Sequence, residues 1–211
     1  MSNENFTSYT EVDPNSHISR ATARVTYTNL ASDEDAYAYK DFGANCFNGD
    51  FTHLLTVKFD SMSNSSLLSA WTLANLVSDC QDIIDNNGDA FFLACGMSGS
   101  NVVLFLEEVD GGTQYDSSSY TISLATIYYL KIVRNESVGT YGTLYLYIYN
   151  DAARTNLLST LSLALHTSKK DFRYAYPIQS WDTGWAGQDH DGYTENFDLG
   201  FVVFTPKIFY F

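Results

Sequence analysis

Short apolar runs recur along the chain and are separated by clusters of Asn, Asp, Gly and Ser. Runs of this length that are rich in β-branched and aromatic residues, and that end at turn residues, predict β-strands. Ten to twelve strands in a chain of 211 residues predict two stacked antiparallel sheets, because each sheet has an apolar face that the other must cover. The predicted strands span 21–30, 36–41, 54–59, 68–75, 90–97, 101–109, 120–123, 128–134, 143–149, 157–165, 172–181 and 193–204.

One segment departs from the strand pattern, at residues 78–88. Ser78 and Gln81 have the spacing of a capping box, acidic residues follow in the first turn, and Gly88 suits a left-handed position after a helix. A short structural helix between two strands is therefore predicted. The chain has no repeat of fixed period and no stretch of linker composition, so residues 1–211 are expected to form one domain.

Strand 143–149 has the clearest alternation in the chain. One face holds Leu144, Leu146 and Ile148, and the other holds Tyr145, Tyr147 and Tyr149. The aliphatic face is expected to point into the core. The tyrosines then line either a ligand groove or the ordinary outer face of a strand with high β-propensity.

The net charge of the chain excludes some classes of binding partner, and its aromatic content indicates a large core. The chain has 11 Lys and Arg against 25 Asp and Glu, a formal net charge of −14, and therefore no basic stripe for nucleic acid or an anionic membrane. It has 16 Tyr, 14 Phe and 3 Trp, which predicts a large packed core. No run of about 18 apolar residues is present, and the first five residues lack the basic and apolar regions of a signal peptide.

The three cysteines do not form a metal or disulfide pattern. Cys46, Cys80 and Cys95 are odd in number, contain no Cys-x-x-Cys pair and have no histidine at metal-ligand spacing. Buried free thiols are the expectation.

A family resemblance lies in the order of four segments. Residues 127–135 (IYYLKIVRN) and 142–149 (GTLYLYIY) resemble the paired strands of concanavalin A-like lectin/glucanase and laminin-G-like domains. The segment 150–158 resembles the bulge that follows in such domains, and 192–199 resembles their closing strand. The resemblance covers roughly residues 120–200 and implies an all-β jelly-roll sandwich, as in carbohydrate-binding modules and phage-associated proteins.

The resemblance also carries expectations about function. It implies glycan binding, often with a structural calcium ion, and an extracellular or virion-associated location, with attachment to a larger enzyme or virion protein. Glycoside hydrolases and polysaccharide lyases share the scaffold. The nearest match to the acidic strand of the hydrolases is Glu108-Val109-Asp110, but it lacks the third acid. Glu107 and Glu108 are neighbours on a strand and point to opposite faces, so they cannot act as one catalytic pair.

Two tryptophans in a polar, glycine-containing segment are the strongest local indication of binding. Indole faces cover the apolar faces of sugars, and nearby polar side chains bind the hydroxyls. Residues 179–190 therefore form the predicted binding loop, with the tyrosines extending the platform. Trp71, in an apolar stretch typical of a core, is retained as a further candidate. The predicted ligand-binding residues are Trp181, Trp185, Asp182, Gln179, Gln188, Tyr145, Tyr147, Tyr176 and Trp71.

The acidic residues near the two ends of the fold suggest a calcium site. Ca²⁺ prefers several oxygen ligands, and the resemblance places the first and closing strands side by side. The candidate ligands are Glu11, Asp13, Asn196 and Asp198.

These observations together predict a non-catalytic, lectin-like module that binds a neutral polysaccharide or oligosaccharide. Two alternatives stay open. One is a structural virion or tail-associated domain used in assembly, and the other is a glycoside hydrolase or polysaccharide lyase on the same fold.

Overall fold

A computed structural model describes residues 3–182 and 189–201. These residues form fifteen strands, one α-helix and a 3₁₀ turn at Phe6–Ser8. The strands are β1 (Thr10–Val12), β2 (Ile18–Arg20), β3 (Arg24–Ala31), β4 (Tyr37–Asp41), β5 (Phe51–Met62), β6 (Leu67–Ala74), β7 (Ala90–Ser98), β8 (Asn101–Asp110), β9 (Thr113–Asp116), β10 (Tyr120–Ile122), β11 (Ile127–Asn135), β12 (Thr143–Tyr149), β13 (Leu157–Ala164), β14 (Tyr174–Ser180) and β15 (Asp189–Asp198); the helix is α1 (Cys80–Asp85).

The strands form two antiparallel sheets that pack face to face. The first sheet has the order β1-β4-β14-β6-β7-β8-β10, with β9 paired to β8. The second has the order β13-β12-β11-β5-β15-β3-β2. Neighbouring strands are often distant in sequence, as where β15 lies between β3 and β5. The predicted all-β sandwich of two antiparallel sheets is confirmed.

The main core lies between the sheets and is built from alternate residues of the second sheet. Leu55 and Val57 of β5 and Leu130 and Ile132 of β11 are fully buried there. They belong to one apolar cluster with residues of the first sheet such as Leu93. The apolar area removed from water in this layer is the main stabilising term of the fold.

Each of the twelve predicted strands overlaps a strand of the structure; β12 has the predicted bounds, and the other eleven differ at one or both ends. The prediction missed β1, β2 and β9, which have three, three and four residues and are too short for a periodic pattern. The closing strand begins at Asp189 and ends at Asp198, earlier than predicted at both ends. Residues 202–204 of that predicted strand lie outside the described residues.

Helix α1 is present, with caps that differ from the predicted ones. Asp79, not Ser78, is the N-cap, and its carboxylate accepts from the amide of Asp82 at 2.8 Å. At the C-terminus the left-handed residue is Asn87 (φ +55°). The amide of Gly88 bonds to Ile83 O at 2.8 Å, completing a Schellman motif. A Cβ on Gly88 would lie 2.8 Å from that oxygen, so the close approach explains the glycine.

The cysteines are free, as expected: Cys80 and Cys95 are buried, and Cys46 is half-buried. Burial raises the pKa of all three thiols, which makes them poor nucleophiles. Within the described ranges, no helix has the length and apolar character needed to cross a bilayer.

Candidate functional site

The outer face of the second sheet presents a row of half-buried tyrosines. Along β12, Leu144, Leu146 and Ile148 have no exposed surface, whereas Tyr145 and Tyr147 point outward, as the alternation predicts. The Tyr145 and Tyr147 rings stack with their centroids 6.1 Å apart and their planes 28° from parallel. Tyr129 and Tyr149 are paired across β11 and β12 on the same face. We call Tyr129, Tyr145, Tyr147 and Tyr149 the tyrosine face.

Lys131 lies beside these rings without an ion-pair partner. It is directly opposite Tyr147 in the register of β11 and β12, and its Nζ lies 5.2 Å from the centroid of that ring. Among the described residues no carboxylate lies within 4.0 Å of the Lys131 ammonium. The cation-π contact places a hydrogen-bond donor at the edge of the aromatic surface.

A pocket of about 240 Å³ adjoins the tyrosine face. Tyr129, Thr56 and Leu54 form one side of its lining, and Leu54 is the register partner of Lys131. Asn196 and Asp198 enter the pocket from a bulge in β15, where Asn196 has a positive φ of 53°. Bulges of this kind redirect side chains and are enriched beside functional sites.

Arg154 closes the pocket and is held by main-chain oxygens. Its Nε donates to Leu130 O, and its Nη2 donates to Leu55 O, both at 3.1 Å. Burial lowers the pKa of Arg154, with Asp198 among the nearby carboxylates that oppose this shift. The guanidinium is therefore fixed at the pocket rather than free in solvent.

Charges along the middle of this face are balanced. Arg24 pairs with Glu195 at 2.5 Å and lies 4.0 Å from the centroid of Tyr193. Lys58 pairs with Asp60 at 2.5 Å. On a chain with a net charge of −14, Arg24 and Lys58 are therefore each neutralised by a carboxylate on this face.

The outer face of the first sheet is different, because the protein itself covers it. Ile83 and Ile84 of α1 pack in a second apolar cluster with Phe92, Tyr176 and Trp181. The centroids of Phe92 and Trp181 are 5.6 Å apart. This face therefore buries two of the predicted binding residues, Tyr176 and Trp181.

Four predicted ligand-binding residues lie inside the protein, and that part of the prediction does not fit the structure. Trp181 is 3% exposed, and Tyr176 is fully buried with its hydroxyl donating to Leu76 O at 2.8 Å. Gln179 is fully buried and donates to Ser78 O at 2.7 Å. Trp71 lies between the sheets and donates to His53 Nδ1 at 3.2 Å. None of the four has a free face for a sugar.

The remaining predicted residues are divided between the two sheets. Tyr145 and Tyr147 are on the second sheet, whereas Asp182 follows β14 of the first. Trp185 and Gln188 lie outside the described residues. The sequence prediction had joined residues of opposite sides of the sandwich into one site.

Asp182 belongs to an acidic cluster that sequence reasoning missed. Carboxylate oxygens of Asp35, Asp79 and Asp182 all lie within 4.8 Å of one another. Burial raises the pKa of Asp79 to about 7, and the hydrogen bond to Asp35 and the charge of Asp82 act in the same direction. Such a group of oxygens is of the kind that hard cations bind.

The four residues predicted to bind calcium have other partners. Glu11 pairs with Arg20 Nε at 2.5 Å, and Asp13 accepts from the amides of His17 and Ile18 at 3.0 and 2.7 Å. Asn196 and Asp198 lie in the pocket of the second sheet, whereas β1 is in the first. The N-terminal segment does reach the closing strand, through Asn3 and Asn196 at 3.2 Å, but the four side chains do not form one cluster.

The acids of β8 point to opposite faces, as predicted. Glu108 is buried and accepts from His166 Nδ1 at 3.0 Å. Glu107, on the other side of the sheet, accepts from Gln114 Nε2 at 2.8 Å. Burial raises the pKa of Glu107 to about 8, and Asp116 also raises it. The contacts with β9 could not be anticipated, because that strand was not predicted.

Comparisons with known proteins identify the fold. No family model and no curated protein matches the chain. Among solved structures, a mutant of alginate lyase Aly36B in complex with alginate trisaccharide has a TM-score of 0.56 at 14% identity, over 94% of this chain and 89% of that one. The protein has a jelly-roll β-sandwich fold.

Two further structures show how broadly this fold is used. The exoplasmic/lumenal domain of VIP36, in a form bound to Ca²⁺ and Man3GlcNAc, has a TM-score of 0.54 at 12% identity and covers 94% of this chain and 85% of its own. The CBM2 module of the evolved Dit protein of Lactobacillus casei BL23 phage J-1 has a TM-score of 0.51 at 11% identity, with coverages of 91% and 83%. At these identities the similarity shows the fold alone.

Proposed function

We propose that this protein binds a neutral polysaccharide or oligosaccharide on the tyrosine face without cleaving it. The observation that carries the proposal is the stacked, half-buried pair of Tyr145 and Tyr147 on the tyrosine face, which the pocket of Arg154 adjoins through Tyr129. Tyrosine rings cover apolar sugar faces, and their hydroxyls offer hydrogen bonds.

The geometry supports a chain of sugars rather than a compact ligand. The tyrosine pair is an open surface, whereas the pocket of about 240 Å³ is below the roughly 300–1,000 Å³ of sites for drug-sized molecules. One sugar unit would occupy the pocket, where Arg154, Asn196 and Asp198 supply polar contacts. Neighbouring units would lie along the rings of β12.

The charge distribution supports a neutral ligand. The overall charge of −14 repels anionic polymers at long range, and two cations of this face, Arg24 and Lys58, are already paired with carboxylates. Two cations of this face, Lys131 and Arg154, have no ion-pair partner among the described residues. The Lys131 ammonium lies over Tyr147, and main-chain oxygens hold the Arg154 guanidinium. Proteins of the same fold include an alginate lyase and a glycan-bound form of VIP36, which supports a carbohydrate partner in general.

The test is binding to a panel of soluble polysaccharides, including neutral glucans, mannans and xylans and anionic alginate, measured by affinity gel electrophoresis and calorimetry. Tyr147→Ala is expected to weaken binding of a neutral polysaccharide about tenfold, equivalent to about 1.4 kcal/mol, through loss of stacking. Tyr141→Ala, at a 44% exposed loop tyrosine, is the matched control and is expected to bind normally.

Two outcomes would contradict the proposal. Unchanged affinity of the Tyr147→Ala variant would show that the tyrosine face is not the binding surface. Concentration-dependent oligomers with no response across the panel would instead favour an assembly domain, and release of reducing ends or unsaturated products would favour an enzyme.

We propose in addition that the Asp35, Asp79 and Asp182 cluster binds a structural Ca²⁺. The support is the convergence of three carboxylates from three segments, together with the use of Ca²⁺ by VIP36. Ion binding to the folded state alone would stabilise it by about 2.7 kcal/mol at a hundredfold excess over Kd. The Tm is expected to rise on adding CaCl₂ and to fall with EDTA.

The two variants for the calcium test each remove one negative charge. Asp182→Asn is expected to abolish the Ca²⁺-dependent rise in Tm, whereas Asp60→Asn, at an exposed carboxylate on the other sheet, is expected to keep it. A wild-type Tm that responds to neither CaCl₂ nor EDTA would rule out the calcium proposal.

A further inference from the structure

The pocket that adjoins the tyrosine face contains a positive and a negative side chain that are not paired with each other. Arg154 and Asp198 both line it. Burial lowers the pKa of Arg154 and the charge of Asp198 opposes this shift, so the two groups are near one another. No ion pair joins them in the part of the chain that the structure describes. A ligand in this pocket therefore meets a cation and an anion together.

Arg154 retains hydrogen-bond donors that the protein does not use. Its Nε donates to Leu130 O and its Nη2 donates to Leu55 O. Its Nη1 has no acceptor among the described residues and is not closed off from solvent. Because a guanidinium can only donate, these free N–H groups require an acceptor from the ligand or from water.

The loop of residues 150–156 holds Arg154 in this position. The Asp151 carboxylate accepts from the amides of Thr155 and Asn156 at 3.0 and 2.7 Å, and Asp151 O accepts from the Arg154 amide at 3.0 Å. Arg154 has a φ of +53°, in the left-handed region that residues with a long side chain rarely adopt. The guanidinium is therefore in place before a ligand binds, which lowers the entropy lost on binding.

Asp198 and Asn196 offer the pocket a free acceptor and a free donor. Asp198 is 4% exposed, and its Oδ1 accepts from the Gly200 amide at 2.9 Å. Its Oδ2 accepts from none of the described residues and is not closed off from solvent. The Oδ1 of Asn196 accepts from Asn3 at 3.2 Å, which leaves its Nδ2 to donate. The pocket thus combines a group that only donates, a group that only accepts and an amide donor.

We propose that this pocket binds a pyranose unit through two adjacent free hydroxyl groups, an inference that rests on the proposed carbohydrate binding. A hydroxyl both accepts and donates, so one oxygen accepts from Arg154 and donates to Asp198 Oδ2. The adjacent hydroxyl accepts from Asn196 Nδ2. A carboxylate at this place would face Asp198, and an ammonium group would face Arg154, so neither suits both charges.

Methyl pyranosides of glucose, mannose and galactose test the proposal on the full chain, by calorimetry and by the NMR signals of the Arg154 and Asn196 side chains. In these sugars every adjacent hydroxyl pair includes the hydroxyl on ring carbon 3, so a 3-deoxy analogue has no such pair. At least one parent sugar is expected to bind saturably, and its 3-deoxy analogue about tenfold more weakly, because a hydrogen bond to a charged group is lost. Its 6-deoxy analogue, which keeps the pair, is expected to bind like the parent.

Two variants that each remove one carboxylate of the second sheet form a matched pair. Asp198→Asn can still accept from the Gly200 amide, but it presents a donor where the ligand hydroxyl needs an acceptor. It is expected to bind the parent sugar about tenfold more weakly than the wild type does. Asp60→Asn, on β5 and outside the pocket lining, is expected to bind it normally.

The proposal is overturned if no parent sugar binds saturably, if the 3-deoxy and 6-deoxy analogues bind equally, or if Asp198→Asn binds the parent as tightly as Asp60→Asn. Failure of the tyrosine face is a separate result, because Tyr147 does not line the pocket. Unchanged polysaccharide binding by Tyr147→Ala would contradict that surface, whereas the methyl pyranosides report on the pocket alone.

Discussion

The indole nitrogen of Trp71 limits which substitutions are possible at this buried position. Trp71 has no exposed surface, its ring meets His53 edge-on at 5.7 Å, and its Nε1 donates to His53 Nδ1. The same bond sets the tautomer of His53. Removing the indole would therefore leave both a smaller side chain in the core and an acceptor without a donor.

Trp71→Phe is expected to lower the free energy of unfolding by about 2 kcal/mol, from the unpaired His53 acceptor and the lost ring volume. Urea unfolding measures this change. Polysaccharide affinity of the folded variant should equal that of the wild type, because Trp71 is between the sheets. A loss of affinity without a loss of stability would mean that Trp71 contacts the ligand after all.

Residue patterns in the sequence identified only part of the candidate site. The outward direction of Tyr145 and Tyr147 was predictable, because β12 is covered on one face only and its sequence alternates. Trp181 and Tyr176 were not, since a polar neighbourhood in sequence does not reveal that α1 packs over them. No sequence pattern marked Arg154, because main-chain oxygens of β11 and β5 hold its guanidinium at the pocket.

The elements of the first sheet explain why its strands show little alternation. β6 is buried at every residue after the first, and β7 at its first seven residues. One face of these strands meets the second sheet and the other meets α1, so both faces require apolar side chains. The sequence could therefore predict these strands from their apolar runs. It could not predict that α1 covers their outer face.

Strand pairing also explains why the acidic cluster escaped prediction. Asp35 precedes β4, Asp79 caps α1 after β6, and Asp182 follows β14. In the sheet β14 lies between β4 and β6, which brings the three segments together. Their separations in sequence carry no ligand spacing, so the cluster appears only once the topology is known.

At the scale of the whole molecule, buried titratable groups set the pH range of greatest stability. Burial lowers the pKa of His53 to about 3 and that of His190 to about 4, from 6.5. Below pH 6.5 the unfolded chain binds these protons and the folded protein does not, so stability falls as the pH falls. Above pH 6.5 both histidines are neutral in either state and have no further effect.

Glu107 acts in the opposite direction, because its folded pKa of about 8 lies above its ordinary value of 4.5. Between these values the folded protein holds a proton that the unfolded chain has released, so stability falls as the pH rises. We expect the free energy of unfolding to be greatest near pH 6 and to drop by about 2 kcal/mol between pH 6.5 and 8 through Glu107. Urea unfolding across this range measures the drop.

The variant Glu107→Gln tests whether Glu107 causes this drop in the free energy of unfolding. Glutamine keeps an acceptor for Gln114 Nε2 and offers Asp116 a donor, as the protonated carboxyl does, so its folded state is expected to be intact. It should match the wild type at pH 6 and exceed it by about 2 kcal/mol at pH 8. Glu195→Gln, at a half-exposed carboxylate paired with Arg24, is the control and should keep the wild-type slope between pH 6.5 and 8. An equally steep slope for Glu107→Gln would show that Glu107 is already ionised at neutral pH in the folded protein.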